Sequence, residues 1–308
     1  MSYMDNHLNF LYCFDENYNV QAFTSIISLL DNLDEDINIH ILHDDENTLN
    51  DLPKVIIKHK NLKTLSIYKF NDRDYYFPNI EKVHISVATY FRLFIENYLP
   101  EDVDNIIYLD PDVICLTNPA ERIRNKITNL TKSEKVISAR TEHRRGEKRI
   151  DVDSLYFNAG VMLIDLNKWR KQSIQKKLLI NLGTYKETIY QWDQDVLNSL
   201  FNGDYIELSN EFNYKPDLIQ KITQEQEILF MHYAGSDKPW LTSGIFINGS
   251  DFYHQNFKKL GLGNYHITHK WKRQSLFDIF KGLIFFRIFK LDHPLSYLKD
   301  FLVSLSRK

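Results

Sequence analysis

Two carboxylates one residue apart, Asp110 and Asp112, interrupt the apolar run "NIIYLDPDVICL" at residues 105–116. Acidic side chains inside a fold are tolerated when they are paired, hydrogen-bonded or bound to a metal. Oxygen ligands of this kind suit Mn²⁺ or Mg²⁺, with the remaining positions filled by substrate phosphates. Spacing alone selects little, because the chain holds six D-x-D triplets, and a solvated turn around Pro111 is the competing reading. A second group, "MHYAGSDKPW", places His232, Gly235 and Lys238 within seven residues. Imidazole completes a metal site, and an ammonium is a point partner for phosphate. A lone histidine among eleven is more often structural, so the weight rests on its company. Arg92 lies inside the apolar "ATYFRLFI" and calls for a carboxylate or a ligand, since an uncompensated buried cation is costly. Asp193 and Gln194 open "WDQDVLNSLF", and Asn158 sits in "FNAGV". Taken singly, these read as an N-cap and a turn residue.

The elements that position these residues follow from hydrophobic periodicity. "LNFLYCF" is a buried strand, after which Val20, Phe23, Ile26, Ile27 and Leu30 recur at helical spacing. "INIHILH" and "LKTLSIYKF" alternate as strands around a helix-like "ENTLNDLPKVIIKHK", and "ISVATYFRLFIENYL" reads as a further helix before the strand "NIIYL". This βαβ order implies a mostly parallel sheet covered by helices, an α/β fold. Ligands in such sheets bind beyond the carboxyl ends of the strands, where Asp15 and Asp110 both fall. Further on, "SLYFNAGVMLIDLNKW" is a strand leading into a helix, and "ILFMHYAGSDKPW" a strand running into a Gly/Pro turn.

Composition narrows the function classes. At 43% hydrophobic and 14% aromatic residues, the 308-residue chain is globular. It lacks a Walker A run, a G-x-G-x-x-G and a C-x-x-C, which removes sequence support for a P-loop, a Rossmann dinucleotide site and a zinc knuckle. A D-x-D-x-T phosphatase is disfavoured because Ile114 stands where the hydroxyl belongs. No secretory signal is evident at the start, and the two cysteines, Cys13 and Cys115, suit a reducing compartment, so a cytoplasmic location is expected. The net charge of −3 hides an asymmetry: residues 251–308 carry +7 and residues 1–250 carry −10. A catalytic domain over 1–250 and a basic, aromatic-rich extension over 251–308 are therefore expected.

The set "FDENY", "HISVATYFRLFI", "YLDPDV", "YFNAGVMLIDLNKWR", "WDQDVLNSLF" and "HYAGSDKPW", in this order across residues 8–242, resembles the family 8 retaining glycosyltransferases, which include glycogenin and bacterial lipooligosaccharide galactosyltransferases. The resemblance implies a GT-A-type, Rossmann-like nucleotide-sugar fold and transfer of a hexose from a UDP-sugar with Mn²⁺, Mg²⁺ being the alternative ion. By motif matching it implies that Asp110, Asp112 and His232 hold the metal and that Gly235 and Lys238 contact the diphosphate. Cys13, Asp15, Asn17 and Ile85 would frame the uridine, and Arg92, Asn158, Ala159, Asp193 and Gln194 would surround the donor sugar. Gln194 matches the position beneath the anomeric carbon. An amide is a poor nucleophile, so same-face attack through a short-lived ion pair is expected, with Asp193 the alternative nucleophile.

The basic "RTEHRRGEKRID" departs from the family where acceptor-facing residues belong, leaving a lipopolysaccharide core, another envelope glycan or a glycoprotein as the acceptor. No nucleic-acid partner is expected. The tail segment "QSLFDIFKGLIFFRIFKL" is too short and too charged to span a bilayer and is expected to dock on an anionic membrane surface, at the inner face of the cell membrane. Packing on the catalytic domain or a homodimer contact is the alternative use of its aromatics. A non-catalytic glycan-binding or scaffold protein on a decayed transferase fold is the alternative to an enzyme, against which the retained metal and phosphate residues speak.

Overall fold

The computed structural model describes residues 7–72, 75–78, 86–142, 155–189, 191–216, 222 and 227–306. Ile85 and most of the basic stretch after residue 142 lie outside the described residues. The strands are β1 (Leu8–Phe14), β2 (Ile37–His43), β3 (Leu62–Lys69), β4 (Asn105–Leu109), β5 (Val113–Cys115), β6 (Ile137–Thr141), β7 (Phe157–Asp165), β8 (Ile206–Glu207) and β9 (Phe230–His232). The helices are α1 (Asn19–Asn32), α2 (Lys54–Ile57), α3 (Ala120–Lys132), α4 (Leu166–Lys171), α5 (Ile174–Tyr185), α6 (Trp192–Phe201), α7 (Ser250–Lys259), α8 (Lys272–Ile284) and α9 (Pro294–Ser306).

Seven strands form one mixed sheet in the order β3-β2-β1-β4-β7-β6-β8. Strands β1 to β4 are mutually parallel, and β7 enters antiparallel to both β4 and β6. Strands β2 and β7 are buried along their whole length; β7 accordingly reads as a near-continuous apolar run, whereas β2 alternates and its buried Asn38, His40 and His43 are each hydrogen-bonded. One apolar layer joins α1, α3 and α7 to the sheet, and the other joins α4, α5, α6 and the segment Val87–Asn97 to its opposite face. Two short strands, β5 and β9, pair antiparallel outside the main sheet, with Val113 opposite His232.

Two expected helices take a different form. Val87–Asn97 is a 3₁₀ helix of 11 residues, with Ser86 accepting the Ala88 N–H at its start. At three residues per turn, positions 89, 92 and 95 eclipse on one face, which sets Thr89 and Arg92 side by side. The helix-like stretch 46–60 divides into a 3₁₀ turn, Glu46–Asp51, and the single turn of α2, because Pro53 cannot continue a helix interior.

Beyond residue 250 the chain does two things. Tyr253 and Phe257 of α7 and Leu260 just after it pack into the core beside α1, whereas Tyr265, Ile267, Ile279, Ile288, Tyr297 and Phe301 form a third cluster with Ile245. That cluster uses only one side of α8. Leu276, Phe277, Phe280 and Ile284 on α8, together with Phe285, Phe286 and Phe289 after it, are all at least half exposed.

Candidate active site

The polypeptide leaves β4 through Asp110, whose N–H donates to the Gly160 carbonyl on β7 at 2.8 Å, and turns at once into β5. Pairing of β5 with β9 then places Asp112 against His232, with Nε2 3.3 Å from one Asp112 oxygen and 3.7 Å from Asp110 Oδ2. One potential ligand atom from each of Asp110, Asp112 and His232 lies within 4.8 Å of the others. Two carboxylates and an imidazole form a donor set that fits Mn²⁺ or Mg²⁺. Gly160 leaves room for it: a Cβ there would lie 2.7 Å from His232 Nδ1 and 2.8 Å from Asp110 Oδ2.

Cations ring this acidic centre. Lys238 Nζ sits 2.5 Å from Asp112 Oδ2, donates to the Tyr233 carbonyl at 2.8 Å and faces the Trp240 ring. Burial works to raise the Asp112 carboxyl, but Lys238 and His232 overcome it and hold the group below the usual carboxylate range. Gly235 opens the same loop at φ +92°, a left-handed conformation that favours glycine.

Arg92 is buried between two acids, with Nη2 3.1 Å from Asp110 and Nε 2.6 Å from Asp193. It lies over the Tyr108 ring and donates to the Ala159 carbonyl at 2.6 Å. Thr89 donates to Asp193 at 2.5 Å. Burial pushes the Asp193 carboxyl up to about 6, against the pull of Arg92 and the Thr89 hydroxyl. Gln194, next along α6, accepts the Ala159 N–H at 3.0 Å and donates to the Tyr156 hydroxyl at 3.1 Å. Trp192 starts this helix at φ +51°, and the carboxylate of Asp195, not of Asp193, accepts the Gln191 N–H at 2.7 Å.

The residues expected around a nucleotide base lie at the end of β1. Cys13 is buried there. Asp15 accepts from the Asn17 backbone at 3.1 Å and its side chain at 3.2 Å, and also takes a hydrogen bond from Ser86. Sequence reading missed Asn213, Tyr156, Thr89 and Gly160. Gly160 directly follows two expected residues, Asn158 and Ala159, but nothing in "EFNYKP" marks Asn213, which reaches His232 through the backbone bonds of Tyr214 to β9.

Among curated proteins, the chain is 28% identical over 255 residues to the lipopolysaccharide 1,2-glucosyltransferase of Escherichia coli K12, covering 78% of this chain and 74% of that one. It is 25% identical over 276 residues to general stress protein A of Bacillus subtilis, covering 81% and 93%. Among solved structures, the galactosyltransferase LgtC in complex with donor and acceptor sugar analogues superposes at a TM-score of 0.70 and 23% identity, over 87% of this chain and all of that one. That likeness establishes the GT-A-like fold. The model of glycosyl transferase family 8 matches residues 9–244, which span the site just described, and the chain therefore belongs to that family.

Proposed function

We propose that the protein transfers a hexose, glucose or galactose before N-acetylglucosamine, from a UDP-sugar to an envelope glycan or glycoprotein with retention of anomeric configuration. The observation that carries this reading is the convergence of Asp110, Asp112 and His232 beneath Lys238, three residues of Mn²⁺-binding chemistry next to a phosphate-seeking ammonium. A bound divalent ion would supply neutralisation of the negative charge that builds on the departing UDP. Asp110, Asp112 and His232 would hold it, and Lys238 together with the Gly235 loop would take the diphosphate.

Arg92 holds Asp193, and Asp193 opens the helix that carries Gln194, so Gln194 is positioned by a buried ion pair. Its amide oxygen supplies a dipole for positive charge on the sugar ring but not a competent nucleophile. Asp193 is tied to Arg92 and Thr89, which supports acceptor attack on the leaving-group face over double displacement. The test is a panel of UDP-glucose, UDP-galactose and UDP-N-acetylglucosamine with Mn²⁺, read as UDP release. Turnover of one hexose that stops in EDTA is expected, and undiminished turnover in EDTA contradicts the metal assignment. A β-linked product from an α-linked donor, seen by NMR, contradicts retention.

We also propose that the extension over 251–308 brings the enzyme to an anionic membrane surface. No helix among the described residues is long and apolar enough to cross a membrane. The support is the exposed aromatic face of α8 and the residues after it, in a segment of net charge +7. The inward-facing Ile279, Ile288, Tyr297 and Phe301 account for the packing use of the tail and leave those outer aromatics to another partner.

A further inference from the structure

We propose that Asn213 is a positioning residue that fixes the tautomer of His232 and so presents the Nε2 lone pair to an ion shared with Asp110 and Asp112. The proposal rests on the metal reading above. Its basis is a chain of hydrogen bonds whose directions are forced one after another. A backbone N–H can only donate, and that of Gly160 points at Asn158 Oδ1 at 3.0 Å. The other end of the Asn158 amide, Nδ2, donates to the Glu142 carboxylate at 3.3 Å, which independently fixes the same orientation. Asn213 must therefore approach Asn158 Oδ1 with its amide nitrogen, as it does at 2.9 Å. That leaves Asn213 Oδ1, an acceptor, facing His232 Nδ1 at 2.9 Å. An acceptor there requires the proton on Nδ1. In the neutral ring, Nε2 is then the unprotonated nitrogen, and it is the one turned toward Asp112 and Asp110.

Asn213 is fully buried, Asn158 and His232 nearly so, and the lack of a side chain at Gly160 leaves the ring its place. No water is needed to complete the relay, and an amide in this role orients a ligand as carboxylates and carbonyls do behind metal-bound histidines. The relay also ties the metal ligand to Asn158, the residue assigned to the donor sugar.

The test uses full-length protein with ¹⁵N-labelled histidine at about pH 8, where a free imidazole is neutral, in EDTA, because an ion on Nε2 would itself exclude a proton there. The His232 signal is identified by its loss in His232→Gln. Nitrogen shifts should show Nδ1–H in the wild type and in Asn213→Asp, which keeps the acceptor, and a mixture of tautomers in Asn213→Ala. Mn²⁺ affinity in the presence of UDP should fall by about tenfold or more in Asn213→Ala and be retained in Asn213→Asp. An Nε2–H tautomer in the wild type overturns the proposal, as does Mn²⁺ affinity within twofold of wild type in a folded Asn213→Ala. Should the alanine variant not fold, the wild-type spectrum decides: Nε2–H overturns the proposal and Nδ1–H upholds it. A wild type that takes up no Mn²⁺ with UDP overturns the metal reading itself, whichever nitrogen holds the proton.

Discussion

At Gly160 a single added methyl group decides whether His232 and Asp110 can share a site. A Cβ would press on His232 Nδ1 and Asp110 Oδ2, both held in place by their own hydrogen bonds. Gly160→Ala should therefore reduce Mn²⁺-dependent UDP release by at least about tenfold, the scale of mutations that displace a metal ligand's support, and circular dichroism should show the fold retained. Unchanged release would mean that His232 has slack the geometry does not show. Lys238→Met should weaken UDP binding if its ammonium, which sits on Asp112, takes the diphosphate as proposed; isothermal titration with UDP and Mn²⁺ checks this, and an unaltered affinity would remove Lys238 from the proposed phosphate site. Much of this was legible in the sequence because charge inside an apolar run is informative. Asp110, Asp112 and Arg92 stood out on that ground and His232 through its company with Gly235 and Lys238, and the structure brings all four together. Asn213 and Tyr156 did not stand out, since a polar residue in a loop carries no mark of the partner the fold will bring to it.

Among the elements, the 3₁₀ segment Val87–Asn97 and the start of α6 form one electrostatic unit through Thr89, Arg92 and Asp193. Its pH dependence has a definite sign. The Asp193 carboxyl rises on folding from the ordinary value of 3.8 to about 6, so the folded protein binds the proton more tightly than the unfolded chain. The stability this confers is full below the unfolded value and is lost as pH rises through the folded one. Relative to Asp193→Asn, which has no such group, the wild type should lose about 1 kcal/mol between pH 5 and pH 7, measured by thermal melts in EDTA. A relative gain over that range contradicts the assignment. Apolar runs and helical periodicity located β1 to β4 and β7 of the main sheet and helices α1, α4 and α6, but not β8, α3, α5, α7 or α9. They did not foretell the 3₁₀ pitch of Val87–Asn97, because a short buried apolar run fits either helix type. Nor did they reveal the pairing of β5 with β9, two three-residue strands more than a hundred residues apart in sequence.

For the whole molecule, the carboxyl-terminal helices are both structure and surface. Thr242 donates to the buried Asp278 of α8 at 2.9 Å, and Ile245 packs on Gly282, so the tail supports the segment that follows Lys238 and Trp240. Deleting residues 274–308 would disturb that segment along with any membrane contact. Replacing Phe277, Phe280, Phe285, Phe286 and Phe289 together by serine is the cleaner change. It should weaken binding to anionic liposomes at physiological salt by at least about tenfold, the apolar share of the interaction, and leave UDP release in solution unaltered. Undiminished liposome binding contradicts the docking face. The charge asymmetry of the tail was plain in the sequence, but which of its aromatics turn inward was not, because α8 is apolar over most of its circumference. The central claim, that one divalent ion joins Asp110, Asp112 and His232 to a UDP diphosphate, is tested most directly by anomalous scattering at the manganese edge from crystals grown with MnCl₂ and UDP. The account predicts one strong peak bonded to those three side chains and to the diphosphate, with Lys238 moved from Asp112 to a phosphate oxygen; UDP bound with no manganese at those residues would contradict it.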